Sequence, residues 1–478
     1  MKIVLTLMGL LLLASRVLAG EPEKPNIVLI LADDLGWNAL HCTGNKAVDT
    51  PNLDRLAAQG MRFSHAYAEP QCSPTRAALL SGQWGARTGM FRVTTEKPPR
   101  NPPLIPGEAA TALPPSVATL AQDLKRAGYA TGLSGKWHIA DNYNAAPLKK
   151  RPGYFASYGF DFVGEAANDN DKSVTGITDD MLGFIEANKA HPFFAFVAHH
   201  APHTPMEAPK ALVDKYIARG FKKSSSPVCI LAERPTADYL AMLEHLDTSV
   251  GKILTKLDAL KLSQNTLVIF ASDNGGLGRM ADMAPLRDSK GAPYEGGIRV
   301  PLFMRWPGRI KPGSQSAFMT HTVDLYPTLL ELARAKTEKR LDGVSLAPFL
   351  LGKGTRPTRD TLFWHLPTYT PMYARTPCSS VRQGDWKLVH YYGDFLDPTG
   401  ATPGNNALYG KLILGERWEL YNLKDDPEER RNCVASEPKR VAALKRLLEV
   451  FLKETSAALP KNNPRFDPKD PDWWKTSN

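Results

Sequence analysis

The chain has 478 residues, 43% of them hydrophobic, with a formal net charge of +10 at pH 7 and a pI near 9.2. Its length and apolar content provide for a large core divided over two or three structural units. No stretch after the N-terminus approaches the roughly 20 apolar residues of a transmembrane helix, so no membrane-spanning helix is expected.

Residues 1–19 read as a signal peptide: Lys2, an apolar run from Ile3 to Ala14, then the small-residue cleavage site Val17-Leu18-Ala19. Position 20 is Gly20 rather than cysteine, which speaks against lipidation, and there is no Asn-x-Ser/Thr sequon. A bacterial periplasmic or extracellular protein is expected, soluble and with no membrane contact once the signal is removed. In that setting the basic excess favours an acidic polysaccharide over nucleic acid, or simply aids solubility. Five cysteines, Cys42, Cys72, Cys229, Cys378 and Cys433, leave at least one thiol unpaired in an exported chain.

Short β-branched runs predict buried strands at Asn26–Ala32, Ala130–Gly135, Pro192–Ala198 and Thr266–Ala271. Cys72–Gly82 (CSPTRAALLSG) reads as a helix with Ser73 as N-cap, Pro74 in its first turn and Gly82 as its stop. A second helix, with Val117, Leu120, Ala121, Leu124 and Ala127 on one face, ends at Gly128. The longest spans about 236–260 with Leu240, Leu243, Leu246, Val250, Ile253, Leu257 and Leu260 as its apolar stripe. This alternation predicts an α/β fold, a large doubly wound mixed sheet flanked by helices, over residues 20–358. After a charged linker at 351–360, short polar-aromatic strands and a helix near 438–453 predict a smaller α+β unit over 359–478.

Ligands of open α/β sheets bind beyond the carboxyl ends of the strands. Those positions hold Asp33 and Asp34, then Lys136 and His138, then His199, His200 and His203, then Asp273 and Asn274. The carboxylate and amide oxygens of Asp33, Asp34, Asp273 and Asn274 suit a hard cation, calcium or magnesium, better than zinc. Cys72 stands at a helix N-terminus, where free N–H groups favour an anion such as sulfate or phosphate.

Cys72–Arg76 (CSPTR) with Ala77–Gly82 behind it resembles the signature of type I, formylglycine-dependent sulfatases of the alkaline phosphatase superfamily. Similar to further motifs of that family, in family order, are Leu31–Gly36 (LADDLG), Gly135–His138 (GKWH), Pro202–Pro205 (PHTP), Ser272–Gly275 (SDNG), Leu286–Gly291 (LRDSKG) and Glu419–Pro427 (ELYNLKDDP). The resemblance runs from residue 24 to about 470. It implies that a separate maturation enzyme oxidises Cys72 to formylglycine, whose hydrate is a geminal diol that attacks sulfur. It also implies a calcium ion, with magnesium as the alternative, held by Asp33, Asp34, Asp273, Asn274 and modified Cys72. Arg76 would then orient the diol, Lys136 and Lys290 neutralise sulfate oxygens, His138 act as base for sulfate release, and His203 protonate the leaving alcohol. Asn168 falls where some members of the family place a further sulfate contact.

The implied activity is hydrolysis of a sulfate monoester, on a carbohydrate ahead of a small aryl sulfate. His365, Tyr369, Arg375 and Trp473-Trp474 are candidates for sugar contact or for packing. Two rivals remain: a phosphomonoesterase or phosphonate hydrolase on the same fold, and a glycan-binding protein in which Cys72 stays a thiol.

Overall fold

A computed structural model describes residues 24–478 except 95, 141–147, 149, 166–169, 226–234, 279, 355–356, 374, 398–410, 471–472 and 474–478. The signal segment, Asn168, Cys229 and Trp474 therefore lie outside the described residues. Among the described residues no helix is long and apolar enough to cross a membrane.

Eight strands form the main sheet: β1 (Asn26–Ala32), β2 (Met61–Phe63), β3 (Ala130–Gly135), β4 (Phe162–Val163), β5 (Phe193–Ala198), β6 (Thr266–Ser272), β7 (Leu302–Arg305) and β8 (Ser314–Ser316). Their order is β8-β2-β7-β6-β1-β5-β3-β4. The central strands β6, β1, β5, β3 and β4 are parallel, whereas β7 runs antiparallel to both β6 and β2, so the sheet is mixed.

Alternation along β1 sends side chains to two separate cores. Ile27, Leu29 and Leu31 pack with helices α2 (Cys72–Ser81), α3 (Leu120–Arg126) and α6 (Leu325–Ala333). Val28 and Ile30 pack with α1 (Pro51–Ala58), α4 (Val174–Ala187) and α5 (Ala237–Ala259) on the other face. Both faces of β1 are thus covered, which explains its continuous apolar sequence. In α5, Leu240, Leu243, Leu246, Val250, Ile253 and Leu257 are all fully buried, and each contributes about 1.5–3 kcal/mol relative to exposure.

Two helix starts differ from the sequence reading. Backbone at Gln71 is extended, and its carbonyl accepts from Thr75 N–H at 3.2 Å, so Gln71 caps α2 and Cys72 is its first residue. Ser73 is fully buried inside the first turn and its hydroxyl has no hydrogen-bond partner among the described residues. Helix α3 begins at Leu120 rather than near Val117, because Thr119 and Gln122 form a capping box. At the other end of α2, Gly82 takes the left-handed conformation, φ 64°, as a C-cap.

A second, antiparallel sheet follows, of β9 (Thr361–Leu366), β10 (Cys378–Gln383), β11 (Trp386–Tyr391) and β12 (Arg417–Asn422), in that order. Helix α7 (Pro438–Glu454) lays Leu444, Leu448 and Phe451 against Leu362, Trp364, Val381, Leu388 and Leu420 of this sheet. The same cluster includes Tyr67, Ala78, Trp84 and Val323 of the larger unit. Buried charges bind the two units as well: Lys387 of β11 sits 3.2 Å from Glu295 and 2.7 Å from Glu429. Cys42, Cys72, Cys378 and Cys433 are all free thiols.

Candidate active site

The carboxyl ends of β1, β3, β5 and β6 meet at one edge of the main sheet, and the N-terminus of α2 points into the same place. Asp33 and Asp34 leave β1; Lys136 and His138 leave β3; His199, His200 and His203 follow β5; Asp273 and Asn274 follow β6. Lys290 reaches the cluster from the loop before Gly291, whose N–H donates to the Pro70 carbonyl at 2.8 Å. This pins the loop next to the start of α2.

The side chains form one connected set. Arg76 donates from Nε and Nη2 to Asp273 Oδ2 at 3.0 and 2.8 Å, and from Nη1 to the Lys136 carbonyl at 3.0 Å. Lys136 Nζ donates to Asp33 Oδ2 at 2.6 Å, and Lys290 Nζ lies 2.7 Å from Asp34 Oδ1. Asn274 Nδ2 donates to Asp34 Oδ1 at 2.8 Å, and the Asp34 N–H donates to Asp273 Oδ1 at 3.1 Å. Cys72 Sγ is 3.3 Å from His138 Nδ1, and His203 Nε2 is 3.6 Å from Asp34 Oδ2. The catalytic and metal-ligand candidates Cys72, Arg76, Lys136, His138, His203, Lys290, Asp33, Asp34, Asp273 and Asn274 are therefore brought together.

Two of these hold left-handed backbone, Asp34 at φ 64° and His138 at φ 57°. Such conformations cost about 1–3 kcal/mol for a residue with a side chain, and they persist where the surroundings fix a functional geometry. Gly135, at φ 101°, precedes Lys136, and a Cβ there would come within 2.0 Å of the Ala198 carbonyl oxygen. Only glycine lets β3 turn toward the cluster at that point.

Charge and burial set the protonation states. Burial alone would raise the Asp33 carboxyl, but Lys136, His203, Arg76 and Lys290 hold it well below the usual carboxylate range. Burial lowers His138 far below an ordinary imidazole, and Lys136 adds to this, so His138 is neutral near pH 7 and able to accept a proton. Burial also lowers His203, against the pull of Asp34. Lys290 is pushed well above its ordinary value by Asp34, despite burial, and stays charged.

The donor set fits a hard divalent cation. Ligand atoms of Asp33, Cys72 and Asp273 lie within 4.8 Å of one another, as do those of Asp33, Asp34 and His203. Asn274 Oδ1 is buried without a hydrogen-bond partner among the described residues, a buried acceptor of the kind an ion would satisfy.

Of the two roles open to His365, Tyr369 and Arg375, sugar contact or packing, their partners favour packing, and His199 is likewise held within the fold. His365 is buried between Ser379 Oγ at 2.7 Å and the Ala458 carbonyl at 2.9 Å. Tyr369 is fully buried and donates to Asp394 at 2.8 Å, with Trp473 packed on its ring. Arg375 pairs with Asp288. His199 is held by Ser249 on α5 at 2.9 Å. Sequence reasoning missed Lys172, which is buried within electrostatic reach of Asp33 and Asp34. It also gave no role to Gln71, Glu96 or Tyr373. Lys172 follows Asn168 in GEAANDNDK, and that local run is the one signal that could have exposed it.

Fold and site together define a hydrolase centre for an anionic ester: hard-oxygen ligands, two lysines, an arginine and neutral imidazoles around a helix N-terminus. Residues 25–335 match the family model described as Sulfatase, and residues 289–397 match that of N-sulphoglucosamine sulphohydrolase, C-terminal. A Formosa agariphila protein named Sulfatase is 33% identical over 97% of this chain and 94% of its own length. The Mus musculus N-acetylgalactosamine-6-sulfatase is 31% identical over 96% of this chain and 91% of its own. The solved structure of Ps i-CgsB in complex with k-i-k-neocarrahexaose matches with a TM-score of 0.70 and 25% identity, covering 91% of this chain and 94% of that one. The chain belongs to the sulfatase family, type I within the alkaline phosphatase superfamily, and is a sulfuric ester hydrolase. Phosphonate monoester hydrolase of Agrobacterium radiobacter shares the fold, with a TM-score of 0.65 and 21% identity over 90% of this chain and 96% of that one.

Proposed function

We propose that the protein is an exported bacterial enzyme that removes a sulfate monoester from a sulfated carbohydrate, with formylglycine made from Cys72 and a divalent cation. The observation that carries this reading is Cys72 at the first position of a buried helix, its ligand atom clustered with Asp33 and Asp273. Relatives named for an N-acetylgalactosamine sulfate and for a complex with a neocarrahexaose support a carbohydrate substrate, as does the basic charge of the chain. The apolar run at residues 3–14 supports export to the periplasm or beyond.

Asp33, Asp34, Asp273 and Asn274 would hold the cation, calcium or magnesium, beside residue 72. Oxidised and hydrated, residue 72 would supply a diol nucleophile, and the cation would supply Lewis acidity toward a sulfate oxygen. Arg76 fixes Asp273 and, through the Lys136 carbonyl, the exit of β3, so the ligands cannot drift. Lys136 and Lys290 place two ammonium groups where negative charge develops on sulfate oxygens. Neutral His138, in contact with position 72, takes the proton whose loss lets sulfate leave. His203 is the group placed to protonate the leaving alcohol, and a bound anionic ester raises its pKa toward that task.

The test is turnover of 4-nitrophenyl sulfate against 4-nitrophenyl phosphate, with mass spectrometry of the tryptic peptide containing residue 72. Faster sulfate cleavage and an aldehyde at residue 72 are expected. Preference for the phosphate would favour a phosphomonoesterase or phosphonate hydrolase, and an intact thiol in natively produced protein would favour a glycan-binding protein.

A further inference from the structure

One carboxylate at the site has no part in the sulfate chemistry. Gln71 donates from Nε2 to Glu96 Oε2 at 3.3 Å, while its Oε1 accepts from the Val93 N–H at 3.2 Å. The Arg92 guanidinium donates to the carbonyl of Glu96 itself. The Thr94 hydroxyl donates at 2.7 Å to the carbonyl of Ala140, two residues beyond His138. On the opposite side, the Tyr373 ring lies 5.5 Å from Lys290 Nζ, and Gly291 is bonded to Pro70. Val93 and Glu96 are therefore anchored to the start of α2, and Thr94 to the chain leaving β3.

The charge of Lys290, a residue of the catalytic cluster, acts on Glu96. Burial pushes its carboxyl up to about 7, against the Gln71 hydrogen bond and the charges of Arg92 and Lys290. Glu96 in turn acts on the Tyr373 hydroxyl, which burial raises. Its second oxygen, Oε1, is shielded from water and meets no hydrogen-bond donor among the described residues. A buried carboxylate oxygen without a donor is destabilising, and a ligand hydroxyl or amide N–H would satisfy it.

We propose that Glu96 is a specificity-determining residue, accepting a hydrogen bond from a sugar hydroxyl adjacent to the scissile sulfate and disfavouring a second sulfate at that position. The inference rests on the sulfatase reading of the Cys72 site. Above about pH 7, where Glu96 is ionised, the carboxylate is acceptor-only, so it rewards a neighbouring O–H or N–H and repels a neighbouring anion. Aryl sulfates lack that neighbour.

The full-length matured enzyme and its Glu96→Gln variant are compared on three kinds of substrate. These are 4-nitrophenyl sulfate, the best of a panel of monosulfated galactose, glucose and hexosamine isomers, and the vicinally disulfated form of that best sugar. Glutamine keeps an oxygen for Gln71 Nε2, and a matched thermal melt checks that the fold is intact. In the variant, the monosulfated-sugar-to-aryl ratio of kcat/KM is expected to fall roughly 10–100-fold, chiefly through KM. The disulfated-to-monosulfated ratio is expected to rise. Unchanged ratios with both esters still hydrolysed overturn the role of Glu96 and leave the sulfatase reading standing. Aryl turnover by wild type with no sugar turnover also overturns it. No turnover of any sulfate ester by wild type carrying an aldehyde at residue 72 overturns the underlying reading, and this inference with it.

Discussion

Arg76 and Asp273 form a fully buried ion pair in which two guanidinium nitrogens, at 2.8 and 3.0 Å, converge on one carboxylate oxygen. The pair joins the second turn of α2 to the end of β6, so the helix carrying Cys72 is fixed relative to the ligand-bearing strand. Removing one partner of such a pair leaves an uncompensated buried charge, worth about 3–5 kcal/mol. Arg76→Ala should therefore lower the chemical-denaturation stability by that order and abolish turnover. Adding Asp273→Asn should cost less than the sum of the single changes, by about 1 kcal/mol or more. Strict additivity in the double-mutant cycle would show that the pair is not coupled in solution.

Cys72 is buried and has His138 as its hydrogen-bond neighbour, so its side chain is small, enclosed and replaceable without disturbing the main core. Cys72→Ala is expected to fold with a melting temperature near that of wild type while losing sulfate ester turnover by more than about a thousandfold. Cys72→Ser tests the chemistry further, since a hydroxyl nearly keeps the volume and lacks the thiol whose oxidation to formylglycine is proposed. Comparable turnover in the alanine variant would show that residue 72 is not the nucleophile.

Much of this site is visible in the sequence because each strand that feeds it is a short apolar run ending abruptly in polar residues. Asn26–Ala32 ends at Asp33, and Thr266–Ser272 ends at Asp273; the change of character marks the sheet edge. Lys290 is different. It lies between serine and glycine in a loop with no periodicity, and only the tertiary pairing of Gly291 with Pro70 brings it to Asp34. The start of α2 differs from the sequence reading for a local reason: Ser73 has the chemistry of an N-cap, but Gln71, fully buried, holds the extended backbone that precedes the helix. The sequence leaves His365 and Tyr369 open between sugar contact and packing because polar aromatics serve both purposes. Their partners, Ser379, Ala458 and Asp394, are distant in sequence and could not be foreseen.

Asp33, Asp34, Asp273 and Asn274 bring three carboxylates and an unsatisfied amide oxygen into a small buried volume. An ion that binds only the folded protein stabilises it by RT ln(1 + [L]/Kd), or about 2.7 kcal/mol when its concentration is a hundred times Kd. Exhaustive chelation should therefore lower the melting temperature and the turnover together. Calcium or magnesium, titrated back, should restore both, and the better of the two identifies the resident ion. Asn274→Ala should weaken the restoring affinity about 10-fold or more, read by the melting shift alone. A melting temperature indifferent to chelator and to added ions would remove the cation from the site.

Glu69 offers a pH test that is independent of the catalytic cluster. It is 3% exposed, and its Oε1 accepts a single backbone hydrogen bond, from the Gly85 N–H at 3.4 Å. Burial raises its carboxyl from 4.5 to about 8, with that one bond opposing the rise. Between those two values the folded protein holds a proton that the unfolded chain has released. Stability from this group is thus fully present below about pH 4.5 and declines as pH rises through about 8. Glu69→Gln keeps the side-chain shape and the acceptor for Gly85 but cannot ionise. Relative to wild type, the variant should gain stability progressively from pH 5 to pH 8 and level off above that. The gain at the plateau is on the order of a few kcal/mol, since each unit of pKa difference corresponds to about 1.4 kcal/mol. Denaturation midpoints for the two proteins, measured side by side across that range, give the difference directly. A difference that is flat with pH would mean that Glu69 is ionised in the folded state, and that an additional donor reaches its carboxylate in solution.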